Sequence, residues 1–213
     1  QLLKDYVGSV YGGLGQLLLA YAEANHLNIS EKLRQVQTQE RFDFNLWREL
    51  LDDIQTQVQS PALGVEIAKH LQPKHIGIIA YIAQSCDTMG EALTRYFDFH
   101  RLVYDGSPLK VEPFDDDNII IRWDTLPSHL TTQITDEIAI AIMVQFLRHF
   151  LSLNHTKIHQ INFTHEKPSN VAIYEDFFQC PVLFKQANPE LVFPLQALST
   201  PLNQGDQTLQ KLL

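Results

Sequence analysis

The chain has 213 residues, 45% of them hydrophobic and 19% charged, a balance that buries a sizeable core in one large domain or two small ones. Its formal net charge of -9, from 16 basic and 25 acidic residues, argues against this chain gripping a nucleic-acid backbone by itself, since that needs a surplus of Lys and Arg on one face. Cys86 and Cys180 stand far apart, with no CxxC pair, and read as reduced thiols of a cytoplasmic protein; no signal peptide is visible, and the longest apolar stretch, residues 138–153, is interrupted by Gln145, Arg148 and His149 and reads as a core helix, not a membrane span.

Residues 1–15 carry Gly8, Gly12, Gly13 and Gly15. With no strand before them and no Lys-Ser/Thr after, they do not make a phosphate-binding loop, and a loose arm or frayed helix is expected. Leu17, Leu18, Tyr21 and Ala22 then step at helical spacing. Ser30 caps a short helix, Glu31–Val36. Leu46, Trp47, Leu50, Leu51, Ile54 and Val58 make an amphipathic helix started by Asp43 or Asn45. Pro61 opens a helix with Leu63, Ile67, Ala68 and Leu71 on one face, Pro73 breaks it, and Ile76, Ile79, Ala80 and Ala83 follow. Asp87-Thr88 caps the next helix, where Met89, Ala92, Leu93, Tyr96, Phe97, His100, Val103 and Tyr104 fall on one stripe.

Asp105-Gly106-Ser107-Pro108 ends the helical half, and the hydrophobic period changes to two. Leu109, Val111 and Pro113, then Ile119, Ile121 and Trp123, flank the turn Asp115-Asp116-Asp117-Asn118, a hairpin signal. The longest helix is expected over roughly residues 128–153, and a strand over 158–165. Pro168-Ser169 opens a short helix bearing Ile173, Tyr174, Phe177 and Phe178. Val182, Leu183 and Phe184, then Leu191, Val192 and Phe193, read as two more strands around the Asn188-Pro189 turn. This segregation of helices from strands predicts an α+β fold: a helical N-terminal half (1–105) packed, with one long covering helix, on a mostly antiparallel sheet of about five strands. Residues 106–200 form the sheet half of the same domain, and 201–213 a loop-like, weakly helical tail.

Two runs resemble a known family. Pro61-Ala62-Leu63-Gly64, His75-Ile76-Gly77 with Tyr81, and Thr88-Met89-Gly90-Glu91-Ala92-Leu93 with Tyr96 are similar to the N-terminal, arabinose-binding-type effector domain of AraC/XylS-type transcription regulators. Phe163-Thr164-His165, Tyr174, Phe178-Gln179-Cys180-Pro181-Val182, Phe184, Asn188 and Leu191-Val192-Phe193 resemble that family's FxHP…Y…FGCPVxFGAxxNxLVF run in order and approximate spacing. The chain departs from it where Gln179 replaces Gly, Lys185-Gln186 replaces Gly-Ala, and Glu166-Lys167 separates His165 from Pro168. The resemblance covers nearly the whole chain. It implies a small-molecule-sensing, homodimerising regulatory domain with no cofactor, which reaches DNA only through a C-terminal helix-turn-helix domain absent from this chain; the alternative is a dimerisation module without a small ligand.

The chemistry-bearing residues give a specific expectation about the ligand. Tyr96, Phe97, His100 and Tyr104 lie on one stripe, and Tyr81 and Trp123 offer large apolar bodies with one polar tip. These six are the candidate lining of a pocket between helices and sheet, and each serves equally as core. Arg122, opposite Ile121 and Trp123 in strand phase, is solvated or, if covered, suited to a carboxylate. His155 and His159 are four apart, but a helix end and a strand start put them on no common helical face, so no metal site is expected. Asp115-Asp116-Asp117 reads as a solvated turn. Asp52-Asp53 and Glu175-Asp176 fall on polar helix faces, and no nucleophile sits beside a base in sequence, so catalysis is not expected.

Overall fold

The computed structural model describes residues 8–124, 131–150 and 158–202. Residues 1–7, the expected helix limits near 128 and 153, His155, and the expected tail helix at 207–213 lie outside the described residues.

The chain opens with β1 (Ser9–Tyr11), which pairs antiparallel with β2 (Arg41–Asp43) around α1 (Gly12–Ala24) and α2 (Glu31–Val36). The glycine-rich start is therefore no loose arm. Gly12, Gly13 and Gly15 sit inside α1 and are buried. A Cβ on Gly12 would lie 2.0 Å from the Gln39 carbonyl oxygen, and one on Gly13 2.6 Å from that of His75. Glycine here permits close backbone approach. The helix's first N–H, on Gly12, donates to the Glu40 carbonyl at 2.7 Å.

The helical layer continues through α3 (Phe44–Val58), α4 (Leu63–Ala68), α5 (Pro73–Ile76), α6 (Ile78–Gln84) and α7 (Met89–Val103). Their starts follow capping chemistry. Ser30 Oγ accepts from the Leu33 N–H at 3.1 Å, and Asp43, not Asn45, caps α3, accepting from the Asn45 N–H at 2.7 Å. Thr88 Oγ1 accepts from Glu91 N–H at 3.2 Å while Glu91 reaches back to the Asp87 N–H at 3.0 Å. Each such cap stabilises by about 1 kcal/mol.

The sheet half comprises β3 (Leu109–Pro113), β4 (Asn118–Trp123), α8 (Gln133–Gln145) continued by a π-helical turn (Phe146–Phe150), β5 (Gln160–Asn162), α9 (Ala172–Phe178), β6 (Val182–Leu183) and β7 (Glu190–Pro194), then a 3-10 turn (Leu195–Ser199). The strand order is β3-β4-β7-β5-β6. Three of the four neighbour pairs are antiparallel, and β5–β6 is parallel. The sheet is thus mixed: α9 lies between β5 and β6 and supplies the crossover that a parallel pair requires. Register places Ile121 opposite Leu191, and Leu191 opposite Ile161, so this face is a continuous apolar surface turned to α8 and the helices. One core cluster runs from Val10 to Leu202.

The other face carries a polar ladder. Arg122 Nε donates to Glu190 at 2.8 Å, its other nitrogen meets Glu112 at 3.0 Å, and Asn162 Nδ2 donates to Glu190 at 3.0 Å. Arg122 is thus neither freely solvated nor waiting for a foreign carboxylate; its guanidinium holds two of the protein's own.

Candidate functional site

Four of the six expected residues meet. Tyr96 and His100 on α7, Tyr104 just beyond it, and Trp123 at the end of β4 line one internal slot with Leu14 of α1 and Ala139 of α8. The slot's volume is only about 20 Å³, room for one water molecule. Tyr104 leaves the helix: α7 stops at Val103 and Tyr104 is extended, with φ -141° and ψ 94°, bridged to Val10 of β1. His100 Nδ1 sits 2.9 Å from the Phe97 carbonyl and so carries the donated proton. Its Nε2 is buried without a partner among the described residues, and burial lowers its pKa. Phe97 is half-buried and packs on the core without reaching the slot. Tyr81 on α6 is 69% exposed and does not line it.

The larger space lies next door, where α8 begins. A cleft of about 310 Å³ is lined by Asp124, Thr132, Gln133, Asp136, Thr164 and His165, among others, a size typical of small-ligand sites. The local sequence builds it. Thr132 and Thr135 form a reciprocal capping box: Thr132 Oγ1 accepts from the Thr135 N–H at 3.2 Å, and Thr135 Oγ1 from the Thr132 N–H at 2.8 Å. Helical spacing then puts Gln133 and Asp136 one turn apart on the same side. Asp124 follows β4, where Lys110 Nζ holds its carboxylate at 3.0 Å. Burial, reinforced by the neighbouring Glu137 charge, pushes the Asp136 carboxyl up to about 7.

Behind this cleft stands a buried network centred on Glu137, which is 0% exposed. Its carboxylate lies 2.6 Å from the Tyr174 hydroxyl, accepts from Gln133 Nε2 at 2.8 Å, and accepts from the Gly64 N–H at 3.2 Å. Tyr174 in turn reaches the Pro61 carbonyl at 2.8 Å. Burial raises Glu137 to about 7 against these hydrogen bonds. When protonated it donates to Tyr174, whose own proton goes to Pro61, so every group in the chain stays paired. His165 Nε2 lies 3.8 Å from Glu137, but burial lowers His165 to about 4. The contact is therefore between a neutral imidazole and the carboxyl, not an ion pair, and both ring nitrogens lack a hydrogen-bond partner among the described residues.

Cleft and slot lie back to back. Asp136 and Ala139 are one turn apart on α8, and Trp123 and Asp124 are adjacent. The Tyr104 phenol on the slot side has its pKa raised by burial and then by the Asp136 charge. The sequence carried a signal for the cleft: Asp136 and Glu137 are two carboxyls running directly into the apolar stretch 138–144 of a core helix, a placement that demands partners or raised pKa values.

Together these features define an α+β domain with a polar cleft between the head of α8 and the neighbouring ends of the sheet. The family described as the arabinose-binding domain of AraC transcription regulators, N-terminal, matches residues 25–202, and the chain belongs to it. No curated protein matches the chain. Among solved structures, the crystal structure of the transcriptional regulator CdpR from Pseudomonas aeruginosa is similar, with a TM-score of 0.71 at 19% identity, covering 93% of this chain. The chain spans 60% of CdpR. That likeness is one of fold. Among the described residues no helix is long and apolar enough to cross a membrane.

Proposed function

We propose that this chain is the effector-sensing half of a longer transcription regulator, with the cleft at the head of α8 as its effector site. The helical half (1–105) and sheet half (106–200) act as one sensor, and residues 201–213 lead toward a DNA-binding domain. Contact with DNA, and so a cytoplasmic place of work, belong to the whole regulator. The carrying observation is the 310 Å³ cleft and the buried network behind it. A ligand there touches Gln133 and His165, and Gln133 shares Glu137 with Gly64 of α4 and Tyr174 of α9. Binding that favours one arrangement of this network shifts the population toward it and changes how the domain presents its partner surfaces. In this reading Tyr96, His100, Tyr104 and Trp123 form the apolar wall behind the effector, while Tyr81 and Phe97 stay outside it.

Thermal-shift screening of the chain with small amines, amino acids, carboxylates and sugars, followed by isothermal titration, tests this. A saturable rise in Tm that disappears on substitution of Gln133 supports it. No stabilising compound across the set, or binding indifferent to Gln133, overturns it.

A second reading is a dimerisation module with no small ligand. It is favoured by the closed slot of about 20 Å³ and by Ile78 and Tyr81, 50% and 69% exposed on α6, which suit a self-association face. Sedimentation separates the two, because that reading requires a dimer with no ligand dependence.

A further inference from the structure

We infer that the cleft at the head of α8 takes a small monocation, an ammonium or guanidinium group, with the Asp136 carboxylate as its counter-charge and His165 and Gln133 as hydrogen-bond acceptors. This rests on the reading of the cleft as the effector site and narrows it to a ligand class.

The charge inventory points this way. Among the described residues no Lys or Arg lines the cleft. Asp124 is neutralised by Lys110 at 3.0 Å, while Asp136 is not among the described ion pairs. A carboxyl in a half-closed polar site without a cation is a costly arrangement for the free protein, and a cationic ligand removes that cost. The hydrogen-bonding inventory agrees. His165 has two buried ring nitrogens without partners among the described residues, and its neutral ring offers one lone pair. Gln133 directs its amide nitrogen to Glu137 at 2.8 Å, which leaves its carbonyl oxygen as the group it offers. Thr131, Thr164 and Ser107 add hydroxyl oxygens. An ammonium carries three donors and no acceptor, so this acceptor-rich lining matches it. An anion meets the opposite conditions: no cationic side chain of the described residues faces it, and the helix start is already answered by the Thr132–Thr135 box and by Asp136 in its first turn.

A proton accompanies the binding. Among the described residues the groups facing Asp136 are Glu137 on its own helix, Tyr104 beyond α7 with Arg48 of α3 acting on the same phenol, Asp124 with Lys110 at the β3–β4 end, and His165 beyond β5. None is a free cation, and the Asp136 carboxyl stands near 7. A cation that pairs with it lowers its pKa and expels the proton still bound at pH 6.5; a neutral ligand does not.

The test is isothermal titration of the 213-residue chain at pH 6.5 in two buffers of different ionisation enthalpy. The probes are n-butylamine, butylguanidine, n-butanol, butyrate and xylitol. Asp136→Asn keeps the volume and removes the charge, and circular dichroism confirms its fold. The expected result is binding of an amine or guanidine at least tenfold tighter than of n-butanol and butyrate. About half a proton or more is released per ligand, and both the preference and the release are lost in Asp136→Asn. Tighter binding of butyrate or xylitol, without proton release, overturns the ligand class and leaves the sensing role standing. No binding by either cation, or binding unchanged in folded Asp136→Asn, overturns the cation site; the sensing role is then judged on the wider compound set.

Discussion

At the scale of residues, the departures from the family pattern have a backbone explanation. Gln179 and Lys185 replace two of its glycines, and both are left-handed, with φ 57° and 56°. Gln179 closes α9, where its N–H donates to the Glu175 carbonyl at 2.8 Å. A side chain there carries a penalty that glycine avoids. Gln179→Gly and Lys185→Gly are each expected to stabilise the domain by about 0.5–1 kcal/mol, measurable by urea denaturation. Asp136 gives a second residue-level expectation. Its folded carboxyl stands near 7 against 3.8 unfolded. Its contribution is therefore fully present below about pH 4 and is lost as pH rises through 7. The stability of Asp136→Asn relative to wild type should grow between pH 4 and 8 by a few kcal/mol, on the order set by linkage; a difference flat with pH would contradict the buried placement. His75 and His165, both lowered to about 4, work with the opposite sign, their stability being lost as pH falls through about 4. The sequence singled out His100 by its stripe, but nothing local revealed that Glu137 would meet Tyr174, 37 residues away.

At the scale of elements, periodicity was a good guide wherever elements were long. The amphipathic patterns located α3 and α7 nearly to the residue, and alternation located β3 and β4. It missed the first two strands. The three-residue β1 and β2 had no period to display, and the glycines beside them suggested looseness where they actually allow close packing. The slot residues came together because a helix stripe and a strand face do converge on a core, but the sequence could not say that the space would close to one water. The α4–α8 contact is another product of tertiary packing. A Cβ on Gly64 would lie 2.6 Å from Glu137 Cβ and 2.7 Å from the Ile138 nitrogen. Gly64→Ala is therefore expected to destabilise by about 2 kcal/mol through overpacking, and to disturb ligand response along with stability. A denaturation midpoint unchanged from wild type would show that α4 and α8 separate at no cost.

At the scale of the molecule, the acidic balance of -9 agrees with the proposal that DNA contact belongs to another part of the regulator. The α+β class was legible because helical and alternating segments are segregated along the sequence. The parallel β5–β6 pair was not, since strand order depends on how α9 crosses over and not on any local pattern. In the effector-sensing reading the isolated chain dimerises through surface outside the cleft. Analytical ultracentrifugation should give a dimer at micromolar concentration whose population changes when a cleft ligand is added; a monomer at every concentration would separate sensing from dimerisation. The most direct test of the cleft as effector site is a paired titration: a stabilising ligand is measured against wild type, Gln133→Ala in the cleft, and His100→Leu in the slot. Gln133→Ala should weaken binding at least tenfold while His100→Leu changes it by less than threefold. Loss of binding in His100→Leu with Gln133→Ala unaffected would place the effector in the slot and contradict the account.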